Sequence, residues 1–370
     1  MAKILIIAHY GKSLLNFRGE LIKTLIKHGH RVILSAPEND FKKELEGMGA
    51  EFVQIPLVRT GLNPIKDIYT LISLIRTMKE KEPDIVFSYA IKPVIYGSLA
   101  ARIMKIPRVI SLITGLGYVF TGSSWKHRVL QNLVCFLYRQ ALKGNDVILF
   151  QNPDDLNLFR ERNILSVKNK AVLVNGSGVD VVKFNYAEPK TQPLSFLLIA
   201  RLIWDKGIGE YVEAARQIKS RYPDVIFKLL GPFDSNPAAI EKEQIDAWVA
   251  EGIIQYLGEV DDVRPIIADS SIVVLPSYRE GTPRSVLEAM AMGRPVITTD
   301  APGCRETIIH GVNGFLVPIK DSAALADVME QFILNKELIL KMGAKSRVIA
   351  VEKYDVNKVN NVILEAMELY

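Results

Sequence analysis

The chain reads as an α/β protein built from two parallel, doubly wound sheets in tandem. Short β-branched runs alternate with longer amphipathic stretches through the first half. The alternation stops at a polar, Pro-containing passage and then restarts, and 370 residues with 49% apolar content suffice for two packed cores. Residues 4–8 form the first strand, followed by a helical pattern over 17–28, and strands recur at 31–35, 51–55, 84–88, 108–113, 146–150 and 171–174. The passage 177–193 reads as a linker between a domain over 1–176 and a second over 194–355. Strands of the second domain are expected at 196–200, 226–230, 253–256, 272–275, 296–298 and 315–317. The closing pattern, 356–370, is helical and must bury its apolar face, which points back to the first domain. Tandem sheets of this kind predict a ligand cleft between the domains, at the carboxyl ends of the strands.

Charge divides the chain as sharply as pattern does. Residues 1–175 hold 25 Lys/Arg against 14 Asp/Glu, whereas 176–370 hold 21 against 27. From Ile85 to Asn145 there are eight basic residues and no acidic one, a composition that attracts anions. The longest uncharged stretch there, Val109 to Trp125, is broken by Gly115, Gly117 and Gly122 and does not span a bilayer as a helix, so membrane contact is expected to be peripheral. Cys135 and Cys304 are far apart and lack metal-ligand spacing, which excludes a disulfide scaffold and a zinc ribbon and suits a reducing, cytoplasmic setting. The short apolar start, without a cleavage-site pattern, reads as a strand rather than an export signal.

Two segments carry chemistry. In the run from Pro276 to Met290, Pro283 suits a first helical turn, so the amides of Arg284, Ser285 and Val286 are expected to face a phosphate, with Gly281 and Thr282 in the turn before them. Glu280 then presents a carboxylate to hydroxyls beyond the phosphate, and Glu288 reaches back toward a ribose, a pairing that suggests a nucleotide sugar. Taken singly, each glutamate is ordinarily a solvated charge. The second segment, Ala200 to Gly207, sets Arg201 and Lys206 around one turn, where two cations neutralise a diphosphate leaving group without a metal.

Arg201, Lys206-Gly207, the run Glu280 to Ala291, Gly293 and Pro295-Val296 together resemble the family-four glycosyltransferases of the GT-B fold, whose two Rossmann-like domains face each other across a cleft. Asn16-Phe17-Arg18-Gly19, Leu62-Asn63-Pro64 and Thr114-Gly115-Leu116-Gly117-Tyr118 are similar to the bacterial subgroup that extends undecaprenyl-diphosphate-linked sugars, the PglA-type transferases among them. The resemblance implies retaining, metal-independent transfer from a UDP-sugar, with the departing diphosphate helping to deprotonate the acceptor hydroxyl. It assigns Arg201 and Lys206 to the diphosphate, Glu288 to the ribose, Glu280 to the donor sugar, and the backbone around Gly258 and Val260 to the base. Gly11, expected in the loop after the first strand, stands where many relatives carry paired glycines near the donor phosphate. Where many relatives place a histidine after the fifth strand, this chain has Thr114-Gly115, which leaves Thr114 and His9 as candidates for orienting hydroxyls.

Arg18, Lys126 and Arg128 are candidate cations for an acceptor phosphate, and the segment from Trp125 to Tyr138 is a candidate membrane-grazing helix. A dinucleotide-dependent oxidoreductase is excluded, because the first strand leads into Ala8-His9-Tyr10-Gly11-Lys12-Ser13 rather than Gly-x-Gly-x-x-Gly. A UDP-sugar epimerase would need acid and base carboxylates from the first domain as well. The expected function is transfer of an N-acetylhexosamine, N-acetylgalactosamine favoured, from a UDP-sugar to an undecaprenyl-diphosphate-linked saccharide at the inner face of the bacterial cytoplasmic membrane, with no nucleic acid partner. The alternatives are a glucosyl or galactosyl transferase on a similar acceptor and a non-catalytic lipid-glycan-binding subunit.

Overall fold

The computed structural model describes residues 1–369 apart from 59–62, 117–119, 121–124, 167 and 235–237, and leaves out the Lys126 side chain. It divides into two compact units, Met1–Ser177 with Asn357–Tyr370, and Gly178–Val356. The motif positions Leu62, Gly117 and Tyr118 lie outside the described residues.

Unit 1 runs β1 (Lys3–Ile7), α1 (Gly11–Lys27), β2 (Arg31–Ala36), α2 (Lys42–Gly47), β3 (Glu51–Gln54), α3 (Pro64–Lys81), β4 (Ile85–Tyr89), α4 (Ile91–Ile103), β5 (Arg108–Ile113), α5 (Trp125–Leu142), β6 (Val147–Phe150), α6 (Pro153–Glu161) and β7 (Lys170–Leu173). The strands pair in parallel in the order β3-β2-β1-β4-β5-β6-β7. Central strands covered by helices on both faces must be apolar throughout, and Ile4, Leu5, Ile6 and Ile7 are all fully buried. Asn63 and Asn152 cap α3 and α6, accepting bonds from Lys66 N at 3.2 Å and Asp155 N at 2.8 Å, and a proline follows each cap. Each such cap contributes about 1 kcal/mol.

Helix α1 departs from expectation, beginning at Gly11 rather than near Phe17. Its cap residue, Tyr10, makes no side-chain cap bond; instead the Glu38 carboxylate, from the loop after β2, accepts the Gly11 amide at 2.9 Å. A carboxylate at the positive end of a helix is favourable, and this one comes from 27 residues away, beyond the reach of a local pattern. Gly11 is therefore helical rather than a loop residue.

Unit 2 contains β8 (Ser195–Ile199), α7 (Ile208–Lys219), β9 (Ile226–Leu230), α8 (Lys242–Ala250), β10 (Gln255–Tyr256), α9 (Arg264–Ala268), β11 (Ile272–Leu275), α10 (Arg284–Ala291), β12 (Val296–Thr299), β13 (Gly314–Val317), α11 (Ser322–Leu334) and α12 (Glu337–Lys353). Its sheet is parallel, in the order β10-β9-β8-β11-β12-β13. The polar passage after Ser177 packs on this unit: Val179 exchanges backbone bonds with Tyr354 and Val356 at 2.8 and 3.0 Å, and Phe184 is buried in the unit's core.

The last helix, α13 (Val356–Met367), completes unit 1. Val359, Ile363, Leu364 and Met367 join the core beside α1 and the central strands, and the Arg108 guanidinium donates twice to the Ala366 carbonyl at 3.1 and 2.9 Å. Ile363→Ala is expected to destabilise unit 1 by about 2–5 kcal/mol in chemical denaturation. A loss under about 1 kcal/mol would show that α13 is not part of that core.

Candidate functional site

In the unit 2 sheet, β8 and β11 are neighbours although three helices and two strands separate them in sequence, and winding reverses there. Ligands of open α/β sheets bind outside the carboxyl ends of strands at such a point. Both sequence motifs meet there. Arg201 follows β8, Lys206 ends the 3-10 turn Trp204–Lys206, and Glu280 lies in the loop from β11 to α10.

The Lys206 ammonium bonds the Glu280 carboxylate, both side chains being largely buried at 16% and 14% exposure. The two turns are tied by Tyr278 N to the Asp205 carbonyl at 2.9 Å and by the Ser277 hydroxyl to the same carbonyl at 3.2 Å. Gly207, at φ +72°, lets the turns close: a Cβ there would fall 2.1 Å from the Pro276 carbonyl oxygen. On the other side Glu280 N donates to Pro302 O at 2.9 Å, and a Cβ on Gly303, at φ +80°, would fall 2.2 Å from Glu280 O. Cys304 is buried beside this turn. Burial, with the Glu280 charge adding to it, pushes its thiol up to about 12, which keeps it an inert packing group.

Arg201 is paired through Nη1 with the Asp234 carboxylate at 2.5 Å, Asp234 being the more buried of the two. Asp234 follows β9, the strand beside β8, and local sequence gave no sign of it because the contact spans 33 residues. Gly303 was missed for the same reason, since its constraint is visible only once β12 lies next to β11.

At the head of α10 the structure corrects the expected anion site. Pro283 is the N-cap, extended at ψ 113°, rather than a residue of the first turn. Its carbonyl accepts Val286 N at 3.1 Å and Leu287 N at 3.2 Å, so the Val286 amide is spent within the helix. A tight first turn uses that amide, which is the physical reason it is not offered to a ligand. Ser285 anchors the helix to the end of β8 by donating its hydroxyl to the Ile199 carbonyl at 3.0 Å. Arg284 Nε donates to Glu288 at 2.7 Å, one turn on. Gly281 is buried and Thr282 half-buried in the turn before. Burial raises the Glu288 carboxyl above its ordinary value, with Arg284 pulling it back.

Gly258 lies beyond β10, and its carbonyl accepts Gly231 N at 2.8 Å, which sets the loop against the end of β9; Val260, two residues on, is half-buried against the core. Among the described residues no three His, Cys, Asp or Glu side chains gather as metal ligands.

In unit 1 the sheet reverses between β1 and β4, and His9, Tyr89 and Thr114-Gly115 stand at the carboxyl ends of β1, β4 and β5, three adjacent strands. The His9 and Tyr89 rings meet edge to face at 6.5 Å, and the Ser13 and Tyr89 hydroxyls are 2.9 Å apart. Arg18 is 1% exposed, its guanidinium 5.2 Å from the Tyr89 ring centre, so it stacks inward as a cation–π partner and does not present itself to an acceptor phosphate. Burial pushes the Tyr89 hydroxyl up to about 12, against the opposing pull of Ser13 and Arg18. The Gly11 amide, engaged by Glu38, is likewise not offered to a donor phosphate. On α5, Arg128 is exposed, as are Trp125, Leu133 and Phe136, whereas Val134 and Tyr138 are buried in the core and cannot belong to a membrane face. The Lys126 side chain is outside the described residues.

Residues 193–335 match the family model described as glycosyl transferases group 1, and residues 3–152 the one described as glycosyl transferase 4-like. The chain is 28% identical over 364 residues to the N,N'-diacetylbacillosaminyl-diphospho-undecaprenol alpha-1,3-N-acetylgalactosaminyltransferase of Campylobacter jejuni, covering 95% of this chain and 94% of that one. It is 27% identical over 312 residues to the UDP-Gal:alpha-D-GlcNAc-diphosphoundecaprenol alpha-1,3-galactosyltransferase of Escherichia coli, covering 80% and 78%. Among solved structures, the sucrose-phosphate synthase of Thermosynechococcus elongatus superposes with a TM-score of 0.84 at 16% identity, over 100% of this chain and 98% of that one. The Anabaena protein HepE, in complex with UDP and glucose, superposes at 0.78 with 19% identity over the whole of both chains.

Two expectations follow from the ion pairs. Asp234→Asn removes the anion paired with Arg201, so calorimetry with inorganic diphosphate as the probe should show anion binding strengthened by about three- to tenfold, while Arg201→Ala weakens it. Weaker binding by Asp234→Asn would mean that Asp234 holds Arg201 in place instead. For Glu288, the raised folded value means its contribution to stability is full below 4.5, its ordinary value, and is lost as pH rises through the folded value. Glu288→Gln abolishes that loss, so at neutral pH the variant should unfold no earlier than the parent. Earlier unfolding would make Glu288 a structural group.

Proposed function

The chain belongs to the group 1, family-four-like glycosyltransferases of the GT-B fold, and from that premise we propose that it transfers N-acetylgalactosamine from its UDP derivative to an undecaprenyl-diphosphate-linked saccharide, with retention at the anomeric carbon. The reading is carried by one observation: Arg201, Lys206, Glu280 and Glu288 converge at the reversal point of a single sheet. The Campylobacter relative, similar over nearly the full length of both chains, supports the sugar and the acceptor class. The Escherichia relative supports a second reading, in which galactose is the sugar moved to a similar acceptor.

In the proposed reaction Arg201 and Lys206 meet the diphosphate and supply its counter-charge, so transfer proceeds in the presence of a chelator. Glu280, fixed by Lys206 and by the backbone on either side, accepts hydrogen bonds from hydroxyls of the donor sugar, and Glu288 accepts them from the ribose. The acceptor hydroxyl forms its bond to the anomeric carbon on the face the diphosphate leaves, the bond from that carbon to the phosphate oxygen breaks, and the hydroxyl proton passes to the departing diphosphate. Backbone around Gly258 and Val260 borders the base. Unit 1, through Thr114, Gly115 and His9, takes the acceptor, and the enzyme works at an anionic membrane surface on the cytoplasmic side. Among the described residues, no helix is long and apolar enough to cross a membrane.

Glu280→Ala should lower turnover by about 10²–10³-fold with UDP affinity nearly kept, because its hydrogen bonds go to the sugar. Arg201→Ala should weaken both. Equal losses of binding and turnover in the two variants would contradict the division of roles.

A further inference from the structure

Two helices of unit 1 carry apolar stripes that the core does not use. On α3, Ile65, Ile68, Tyr69 and Ile72 follow the spacing of one helix face, while Thr70, Leu74 and Met78 of the same helix are buried. On α5, Trp125, Val129, Leu133 and Phe136 form a second stripe, opposite the buried Val134, Cys135, Tyr138 and Leu142. The eight outward residues are 41–71% exposed. Both helices pack against α4, so they lie in one layer, and each follows a parallel strand, so both begin at the carboxyl edge of the sheet where His9 and Thr114 stand. The stripes occupy the N-terminal two thirds of each helix, nearest that edge.

Charge selects what covers them. Helix α5 has no acidic residue, and the one acid in the first three turns of α3, Asp67, is buried and paired with Lys92 at 2.8 Å. Exposed Lys66, Arg76 and Arg128 stand among the apolar side chains. A second copy of the chain, docked by two-fold symmetry, would set these cations against themselves. An anionic bilayer accepts both features, since apolar side chains enter the headgroup boundary while lysine and arginine remain with the phosphates, and Trp125 and Tyr69 suit that depth.

We propose that α3 and α5 together form one bilayer-docking surface, with α3 as an equal partner that the basic, aromatic run of α5 did not reveal in the sequence. The proposal rests on the reading of a lipid-linked acceptor only for its choice of a membrane over another apolar partner. Its test is co-sedimentation of the full chain with vesicles of phosphatidylcholine alone and of phosphatidylcholine with phosphatidylglycerol, beside transfer to a short-chain, water-soluble acceptor. The parent protein should sediment with the anionic vesicles and much less with the neutral ones. Ile68→Glu with Ile72→Glu, and separately Val129→Glu with Phe136→Glu, should each cut partitioning by about tenfold or more, with circular dichroism and transfer to the soluble acceptor unchanged. An α3 variant that partitions like the parent would overturn the shared surface, as would a dimer in the ultracentrifuge that these variants dissolve while vesicle binding persists. Vesicle binding without transfer to any acceptor would sink the transferase reading and uphold the docking surface; transfer without vesicle binding would do the reverse.

Discussion

The ion pair between Lys206 and Glu280 is the contact on which the candidate site depends, because it joins the turn after β8 to the turn after β11. What permits the pair is backbone proximity: two parallel neighbours end side by side, and Gly207 and Gly303 remove the side chains that would hold the loops apart. A pair this buried is costly to desolvate, and it is weak evidence for stability by itself. Its value lies in position. It holds a cation and a carboxylate a bond apart at the carboxyl ends of β8 and β11, where the proposed function puts a diphosphate and the sugar attached to it.

The same economy runs through the neighbouring charges. Arg201 rests on Asp234 and Arg284 on Glu288, so each cation of the site has an internal partner before any substrate arrives. In the proposed reaction a diphosphate must outcompete those partners, which converts part of its binding energy into rearrangement of the site. The burial of Glu288 adds a further cost, since a carboxylate in that position is disfavoured in its charged form.

Most of the architecture was readable from sequence because its determinants are local. Strands covered on both faces must be apolar end to end, and runs such as Ile4–Ile7 and Ile272–Leu275 advertise that directly. The motif residues were equally plain, as Arg201 with Lys206 and Glu280 with Glu288 each sit within one turn and its helix. What stayed hidden depends on pairing between distant segments. Asp234 reaches Arg201 only because β9 lies next to β8, and Glu38 starts α1 six residues early only because β2 delivers it to the end of β1. The inward turn of Arg18 belongs to the same class, since its ring partner comes from β4. The polar passage after Ser177 resembled a linker in composition, and the contacts that pack it on unit 2 come from the far end of the chain.

The most direct measurement is a calorimetric titration of UDP, GDP, UDP-N-acetylgalactosamine and UDP-galactose into the parent protein and into Lys206→Ala, with a chelator present throughout. The site described above predicts saturable, uridine-selective binding by the parent, tighter for one UDP-sugar than for the other, and a large loss in the variant. Equal binding of UDP and GDP, or affinity untouched by Lys206→Ala, would contradict a UDP-sugar site at the reversal point of the second sheet.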